Sequence, residues 1–350
     1  MKAFVVGPDG TADDFDGRRI FFSFQNFKDE VCRKGNCFVC GAARNRTFND
    51  EHVFPNWLLR LCGLQQETLT LPNGNKVKYG TYKIPCCSAC NSLLGDICET
   101  PISKVISAGF QATVDFVNTG GANALKVWLC LIFLKVHLRD FKNKIALDNR
   151  IPGVIGDEYE LGELHHVHAI ARAATAGIKI DDDVFGTLAL FQIEPPPNAD
   201  FDYCDNLPGR GMLIRIKDLA LLHIIDDCDA TAGMLSEKMQ YLPHPISGIQ
   251  LREVYAHYLA ANIHIKDRPV FRTEFPYPPK ISVDLPELGF HPYEPTVFGK
   301  LFAGALGTMA ENVVVDGKRG KEAIEIIETG NVSFIFDENG KVKSAHLYQT

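Results

Sequence analysis

Two short stretches decide how this chain is read: IPCCSACN, Ile84 to Asn91, and the earlier CFVCG, Cys37 to Gly41. Each carries a Cys-x-x-Cys pair, Cys37 with Cys40 and Cys87 with Cys90. A turn of that spacing lets two thiolates, and two such turns let four, converge on one tetrahedral ion with Zn–S near about 2.3 Å. Between Cys40 and Cys87 lie 46 residues, so a substantial insertion separates the halves of the site. Cys86 competes for the third position, because Cys86-x-x-x-Cys90 could also chelate; spacing favours Cys87. The competing reading is four unligated buried cysteines. Cys32, Cys62, Cys98, Cys130, Cys204 and Cys228 are scattered, and core packing accounts for them.

The compartment bears on that choice. The start MKAFVVGPDG has neither the apolar core nor the small-residue cleavage site of a signal peptide, so a cytoplasmic chain is expected. In a reducing compartment, paired cysteines at short spacing are metal ligands more often than disulfides. The most apolar run, VWLCLIFL (Val127 to Leu134), is bracketed by Lys126 and Lys135 and falls short of the roughly 20 residues of a membrane span, so no membrane partner is expected.

Over 350 residues, a hydrophobic fraction of 46% and a charged fraction of 23% are those of a soluble globular chain with ample length for a core. A net charge of -7 argues against a surface that coats nucleic acid wholesale. The charge is uneven, however. Lys28 to Lys104 holds ten basic against seven acidic side chains, +3, and the remainder holds -10. The cysteine-rich segment can therefore approach a polyanion more readily than the rest.

The expected organisation has three parts: short strands in 1–27 (AFVVG and RRIFFSF around the turn-rich PDGTADDFDG), a cysteine-rich module in 28–104, and a mixed α/β region in 105–350. Within the last, GANALKVWLCLIFLKVHLRDF is apolar nearly all round and predicts a buried helix. ELGELHHVHAIARAATAGI predicts a second helix, FGTLALFQIE a strand, GMLIRIKDLALLHIIDD paired strands and GIQLREVYAHYLAANIHI a third helix. NVSFIFDENGKVKSAHLYQT reads as a hairpin around DENGK. The fold class is α+β.

Between the cysteine pairs lies NDEHVFPNWLL, Asn49 to Leu59, with an acid directly before a histidine and a proline three residues on. Taken in order, Cys37, Cys40, Glu51, His52, Pro55, Cys87, Cys90 and Asn91 resemble the HNH, or ββα-metal, endonucleases. The likeness is to the subgroup stapled by a four-cysteine zinc, the endonuclease VII type, and covers roughly residues 32–104. It implies a treble-clef-like ββα-metal module with structural Zn²⁺ on Cys37, Cys40, Cys87 and Cys90. It further implies a catalytic Mg²⁺ or Mn²⁺ on Glu51 and Asn91, with His52 as the general base, at an irregular hairpin end where acid and histidine converge. NSLLGDICETPISKVI would be the α element. Where the family often carries a middle Asn or His to orient the base, this chain has Tyr82, so another group must orient it or the hairpin is longer.

Elementary chemistry agrees with these roles. A neutral imidazole suits deprotonation of water near neutral pH. A carboxylate and an amide carbonyl suit a hard divalent cation that can offset charge on a phosphate. A four-thiolate site has no open position and is a scaffold. On a regular strand, consecutive side chains point to opposite faces, and Glu51 could not then join His52. The bland readings are a structural His52, an Asn91 that caps the helix after Cys90, and a Glu99 paired to a nearby Lys or Arg.

His165 and His168, at i and i+3, could chelate, but no matching acids accompany them and a core role is favoured. Asp181 to Asp183 and the DDCD at Asp226 to Asp229 read as turn or helix-start acids. The expected function is thus metal-dependent cutting of DNA rather than RNA, by analogy in a phage-defence, restriction or mobile-element setting. The 105–350 region would sense a ligand, bind a regulatory partner or form a homo-oligomer. The alternative is a non-catalytic zinc-stabilised module that binds nucleic acid or protein.

Overall fold

The computed structural model describes residues 4–148, 150–196, 199–276 and 278–343. The chain opens with a three-stranded antiparallel sheet, β1 (Phe4–Val6), β2 (Ala12–Asp14) and β3 (Arg19–Phe21). The acid-rich link expected to be all turn contributes β2 itself, held in part by the Arg19–Asp13 ion pair at 2.6 Å. A helical turn α1 (Phe24–Asn26), with Ser23 accepting from the Asn26 N–H, runs on through Phe27–Arg33 into the first cysteine pair.

Next come β4 (Glu51–His52), α2 (Asn56–Leu61), the hairpin β5 (Thr68–Thr70) and β6 (Lys76–Lys78), and β7 (Lys83–Ile84). Pro55 ends the pairing of β4, since it has no N–H to give to a ladder. Its carbonyl instead accepts from Leu58 and Leu59, which starts α2. The chain is then helical from Ser88 to Ser107, as α3 (Ser88–Leu94), a wider turn over Gly95–Glu99, and α4 (Thr100–Ser107). Helix α5 (Phe110–Phe116) leads through a kink at Thr119 and Gly120 into α6 (Ala122–Asp140). As the all-round apolar pattern predicts, α6 is buried on every side, with Trp128, Leu129, Ile132 and Phe133 at its centre. The helical run Phe110–Asp140, 31 residues, which contains the apolar run Val127–Leu134, is long and apolar enough by composition to cross a membrane. Of its most apolar window 67% is buried inside the structure.

Helix α7 (Leu161–Ala176) ends at Gly177 in the left-handed region. Then follow β8 (Lys179–Ile180), β9 (Leu188–Gln192), β10 (Phe201–Asn206), β11 (Gly211–Ile216), β12 (Leu219–Ile224), α8 (Ala230–Met239), α9 (Gly248–Ile263), β13 (Val270–Glu274), β14 (Lys280–Asp284), α10 (Pro295–Leu306) and α11 (Lys321–Ile327). The mixed α and β class holds; the strands lie in several small sheets.

The expected boundary near 105 is corrected. The chain forms two compact units, the first of 1–108, 115–184 and 271–283, the second of 109–114, 185–270 and 284–350. The cysteine-rich segment is too poor in apolar residues to close a core alone, and α6 and α7 complete it. Trp128 of α6 meets Trp57 of α2 with centroids 6.0 Å apart, and β14 pairs in parallel with β8 inside this unit. The second unit is a four-stranded antiparallel sheet in the order β10-β11-β12-β9, with Leu251, Val254, Tyr255 and Tyr258 of α9 packed on it. Phe298 and Phe302 of α10 build a further cluster against Ala256 and Ala260. Of the expected C-terminal hairpin, the turn is present, with Asp337 N–H donating to Lys341 and an antiparallel bridge Phe336–Val342. Its last residues, 344–350, lie outside those described.

Candidate metal centre

The cysteine turn at Cys37–Cys40 is closed by the Gly41 N–H donating to the Cys37 carbonyl at 2.8 Å and by the Cys37 N–H donating to Ala42. Gly41 sits at φ +74°, and a Cβ there would come within 2.9 Å of the Phe22 ring, so glycine is required twice over. The second pair lies at the start of α3: Cys87 caps it and Cys90 stands in its first turn. The sulfurs of Cys37, Cys40, Cys87 and Cys90 all lie within 4.8 Å of one another and could hold a metal ion such as zinc. The Cys87 N–H donates to the Cys37 sulfur at 3.4 Å, the sort of contact that steadies a thiolate ligand. Hydrogen bonding from Cys40, then from Cys86 and Cys90, shifts the Cys37 thiol strongly downward, while Cys40 is pushed up to about 11 chiefly by its bond to Cys37. Cys86, fully buried, touches Cys37 but is not one of the four mutually close sulfurs.

Helix α7 holds this knuckle from behind. His168 Nε2 meets the Phe38 carbonyl at 2.7 Å, and Arg172 donates Nε to Val39 at 2.8 Å and Nη1 to Ile20 at 2.5 Å. His165 reaches the Phe22 carbonyl at 2.8 Å. The two histidines therefore serve backbone carbonyls. Burial holds both below the usual imidazole range.

The stretches 47–53 and 82–88 pair antiparallel in one unbroken register. Ser88 donates to Thr47, Asn49 to Cys86 and Val53 to Tyr82, with Glu51 opposite Ile84 and His52 opposite Lys83. The expectation of an irregular hairpin end is thereby corrected: Glu51 and His52 lie on a regular strand and face opposite ways. Glu51 is buried, and its Oε1 receives the Lys135 ammonium at 3.1 Å. The same Nζ donates to the His52 carbonyl at 2.8 Å and to Glu99 Oε1 at 3.4 Å, so three acceptors meet three donors. Lys135 has no exposed side-chain area at all. Burial, against the opposing pull of Lys135, pushes the Glu99 carboxyl up to about 7.

On the other face His52 is half-buried. Burial, chiefly, and then the Lys83 charge lower its pKa, against a raising contribution from the Gly80 backbone. Gly80 has to be glycine, because a Cβ there would stand 2.7 Å from the Gln65 carbonyl. Tyr82 is core, 1% exposed. Asn91 donates Nδ2 to the Asn49 carbonyl at 2.6 Å, which ties α3 to the strand of Glu51 and His52.

The structure thus brings the four cysteines together and joins Asn91 to the Glu51 strand, but does not converge Glu51 with His52. Sequence reasoning missed Lys135, Gly80 and Arg172. The one available signal was a lysine at the edge of the apolar run Val127–Leu134. Elsewhere, Asp227 accepts from Thr187 and from the N–H and hydroxyl of Thr231 at 2.6–2.8 Å, so the DDCD stretch starts α8 as read. Compared with models of protein families, with curated proteins and with solved structures, the chain has no match.

Proposed function

We propose that the chain is a metal-dependent endonuclease of the HNH, or ββα-metal, type, which hydrolyses phosphodiester bonds in DNA. The observation that carries this reading is His52: half-buried, its pKa lowered by burial, and set on a strand that leads through its partner directly into a cysteine-clustered helix. Zinc on Cys37, Cys40, Cys87 and Cys90 is structural here, stapling the first cysteine turn to α3.

Asn91 is the oxygen donor proposed for Mg²⁺ or Mn²⁺; Glu51, buried on the opposite face from His52, is not placed to join it. The Asn91 amide gives its Nδ2 to Asn49, which leaves Oδ1 to coordinate. Glu51 shares its carboxylate with Lys135, an ammonium that balances its charge. A divalent cation on Asn91 Oδ1 would neutralise charge at the scissile phosphate. His52 accepts the proton of the attacking water, and the Lys83 side chain, opposite it in register and on its face, attracts the phosphate.

A second reading, a non-catalytic zinc-stabilised module that binds nucleic acid or protein, is favoured by one specific contact, the buried Lys135 on Glu51. Nicking of supercoiled plasmid with and without Mg²⁺ or Mn²⁺, beside His52→Ala, separates the two. The nuclease reading expects cutting that needs the cation and is lost in the variant. Absence of Mn²⁺ affinity, unchanged in Glu51→Ala and Asn91→Ala, would establish the binding module instead.

A further inference from the structure

A cavity of about 280 Å³ opens in the first unit between the knuckle, β7 and the C-terminal end of α6. Its lining is unusual for so acidic a chain: Arg44, Lys83, Arg139 and Lys142 surround it, with Asp50 the lone acid. Asp50 is neutralised by Arg44, at 2.6 Å. The other three cations have no carboxylate partner among the described residues. Arg139 lies over the Tyr82 ring at 5.6 Å with one long contact to Asn143, and the Lys142 ammonium leans toward Gly35. Three like charges around one cavity repel one another, and an anion seated among them relieves that repulsion. Its lining is also partly apolar, with Phe38, Ile84 and Leu138 among its residues. Basic and apolar lining residues together suit a group that is a phosphate at one end and a sugar or base at the other. The volume lies at the small end of ligand pockets, which run from roughly 300 Å³ upward, and so selects a unit of about nucleotide size. Its position adds direction, for Lys83 stands opposite His52 in the β4–β7 register.

We propose that this cavity receives one nucleotide of a nucleic-acid strand, its phosphate held by Lys83, Arg139 and Lys142, beside the phosphate presented to His52. The inference rests on the nuclease reading only for the neighbouring phosphate; the cavity itself stands on its own lining. Two of its three cations come from the end of α6 and the residues just after it, far outside the cysteine-rich segment, so strand grip and zinc frame are built by separate parts of the chain.

The test is fluorescence anisotropy of a fluorescein-labelled DNA duplex with the full, zinc-loaded chain, titrated at several salt concentrations without added Mg²⁺ or Mn²⁺. In Lys83→Gln with Lys142→Gln, affinity should fall on the order of tenfold, and the slope of log K against log salt should fall by about one to two. Lys104→Gln, an exposed lysine that does not line the cavity, should leave the affinity nearly unchanged. AMP as competitor distinguishes the source of the phosphate. Displacement of the duplex by AMP in the wild type but not in the double variant supports the phosphate site and shows that a free nucleotide also enters it. Affinity and salt slope unchanged in a double variant with full zinc content and wild-type melting overturn the proposal. Binding lost in the double variant while the wild type cuts nothing would sink the nuclease reading and leave the cavity standing. Cutting with binding unaffected by the double variant would do the reverse.

Discussion

Lys135→Met is the substitution that most sharply tests the interior of this module. The wild-type ammonium is fully buried and meets Glu51, Glu99 and the His52 carbonyl at 3.1, 3.4 and 2.8 Å. Methionine keeps the length and most of the volume, so the change is almost purely one of charge. Removing one partner of a buried ion pair costs about 3–5 kcal/mol, because the remaining charge has no compensation. Here two carboxylates are left together, but Glu99 already titrates near 7, so one of them can take a proton. The sign of the pH dependence follows. A carboxyl whose folded pKa lies above its unfolded value binds more protons folded than unfolded, so its contribution to stability falls as pH rises through that window, from about 4.5 to about 7. Loss of Lys135 removes the opposing cation and widens the window upward. The variant should therefore lose about 4 kcal/mol at pH 8 and roughly 2 kcal/mol less at pH 5.5, since each tenfold change in proton affinity is worth about 1.4 kcal/mol. Urea unfolding at both pH values, with zinc held in excess, measures this. Adding Glu51→Gln and Glu99→Gln to the variant should restore most of the loss, since a neutral set leaves no stranded charge. A loss below about 1 kcal/mol at pH 8, or one equal at both pH values, would refute the buried triad.

Three further outcomes follow from the site. Cys87→Ala should abolish stoichiometric zinc in the purified chain and Cys86→Ala should retain it, measured by metal analysis; zinc retained in Cys87→Ala would give the third position to Cys86. Arg172→Met removes donors to Val39, Ile20 and Arg19 at a 4% exposed position and should cost on the order of 3 kcal/mol in unfolding free energy; a change under about 1 kcal/mol would show that α7 does not hold the knuckle. If His52 is the base, the acid limb of the nicking rate should fall below the ordinary imidazole range near 6.5, because burial favours its neutral form; a limb above 6.5 would argue against that role.

What the sequence makes legible follows from the range of the interactions. The buried helix α6 is plain because its apolar pattern is local and continuous. The paired strands β11 and β12 are plain because two apolar runs flank Lys217 and Asp218, where the chain turns with Lys217 at φ +55°. Strand β10, FDYCDN, has no such pattern. It exists because its backbone completes the ladder of β11, and the Arg252–Asp202 ion pair holds its polar face. The parallel pairing of Lys179–Ile180 with Lys280–Ile281 joins residues about a hundred positions apart and has no local signature. The four cysteines are legible from spacing alone. The face of Glu51 is not, since whether a short strand is regular depends on a partner some thirty residues away.

The same distinction explains why residues 28–104 do not make a self-contained module. Three of the loop and strand carbonyls around the candidate site, those of Phe38, Val39 and His52, accept from His168, Arg172 and Lys135. All three donors stand on α6 or α7, and all three are at least nine-tenths buried. A buried carbonyl without its donor costs about 1–3 kcal/mol, and the desolvated cations without their acceptors cost more. Zinc can draw four thiolates together, but it cannot supply those donors. The cysteine frame therefore fixes where the first cysteine turn meets α3, while the two long helices fix how the His52 strand and the first cysteine turn are held against the core. Metal binding and helix packing stabilise the same carbonyl-lined loops from opposite sides, so loosening either weakens the other.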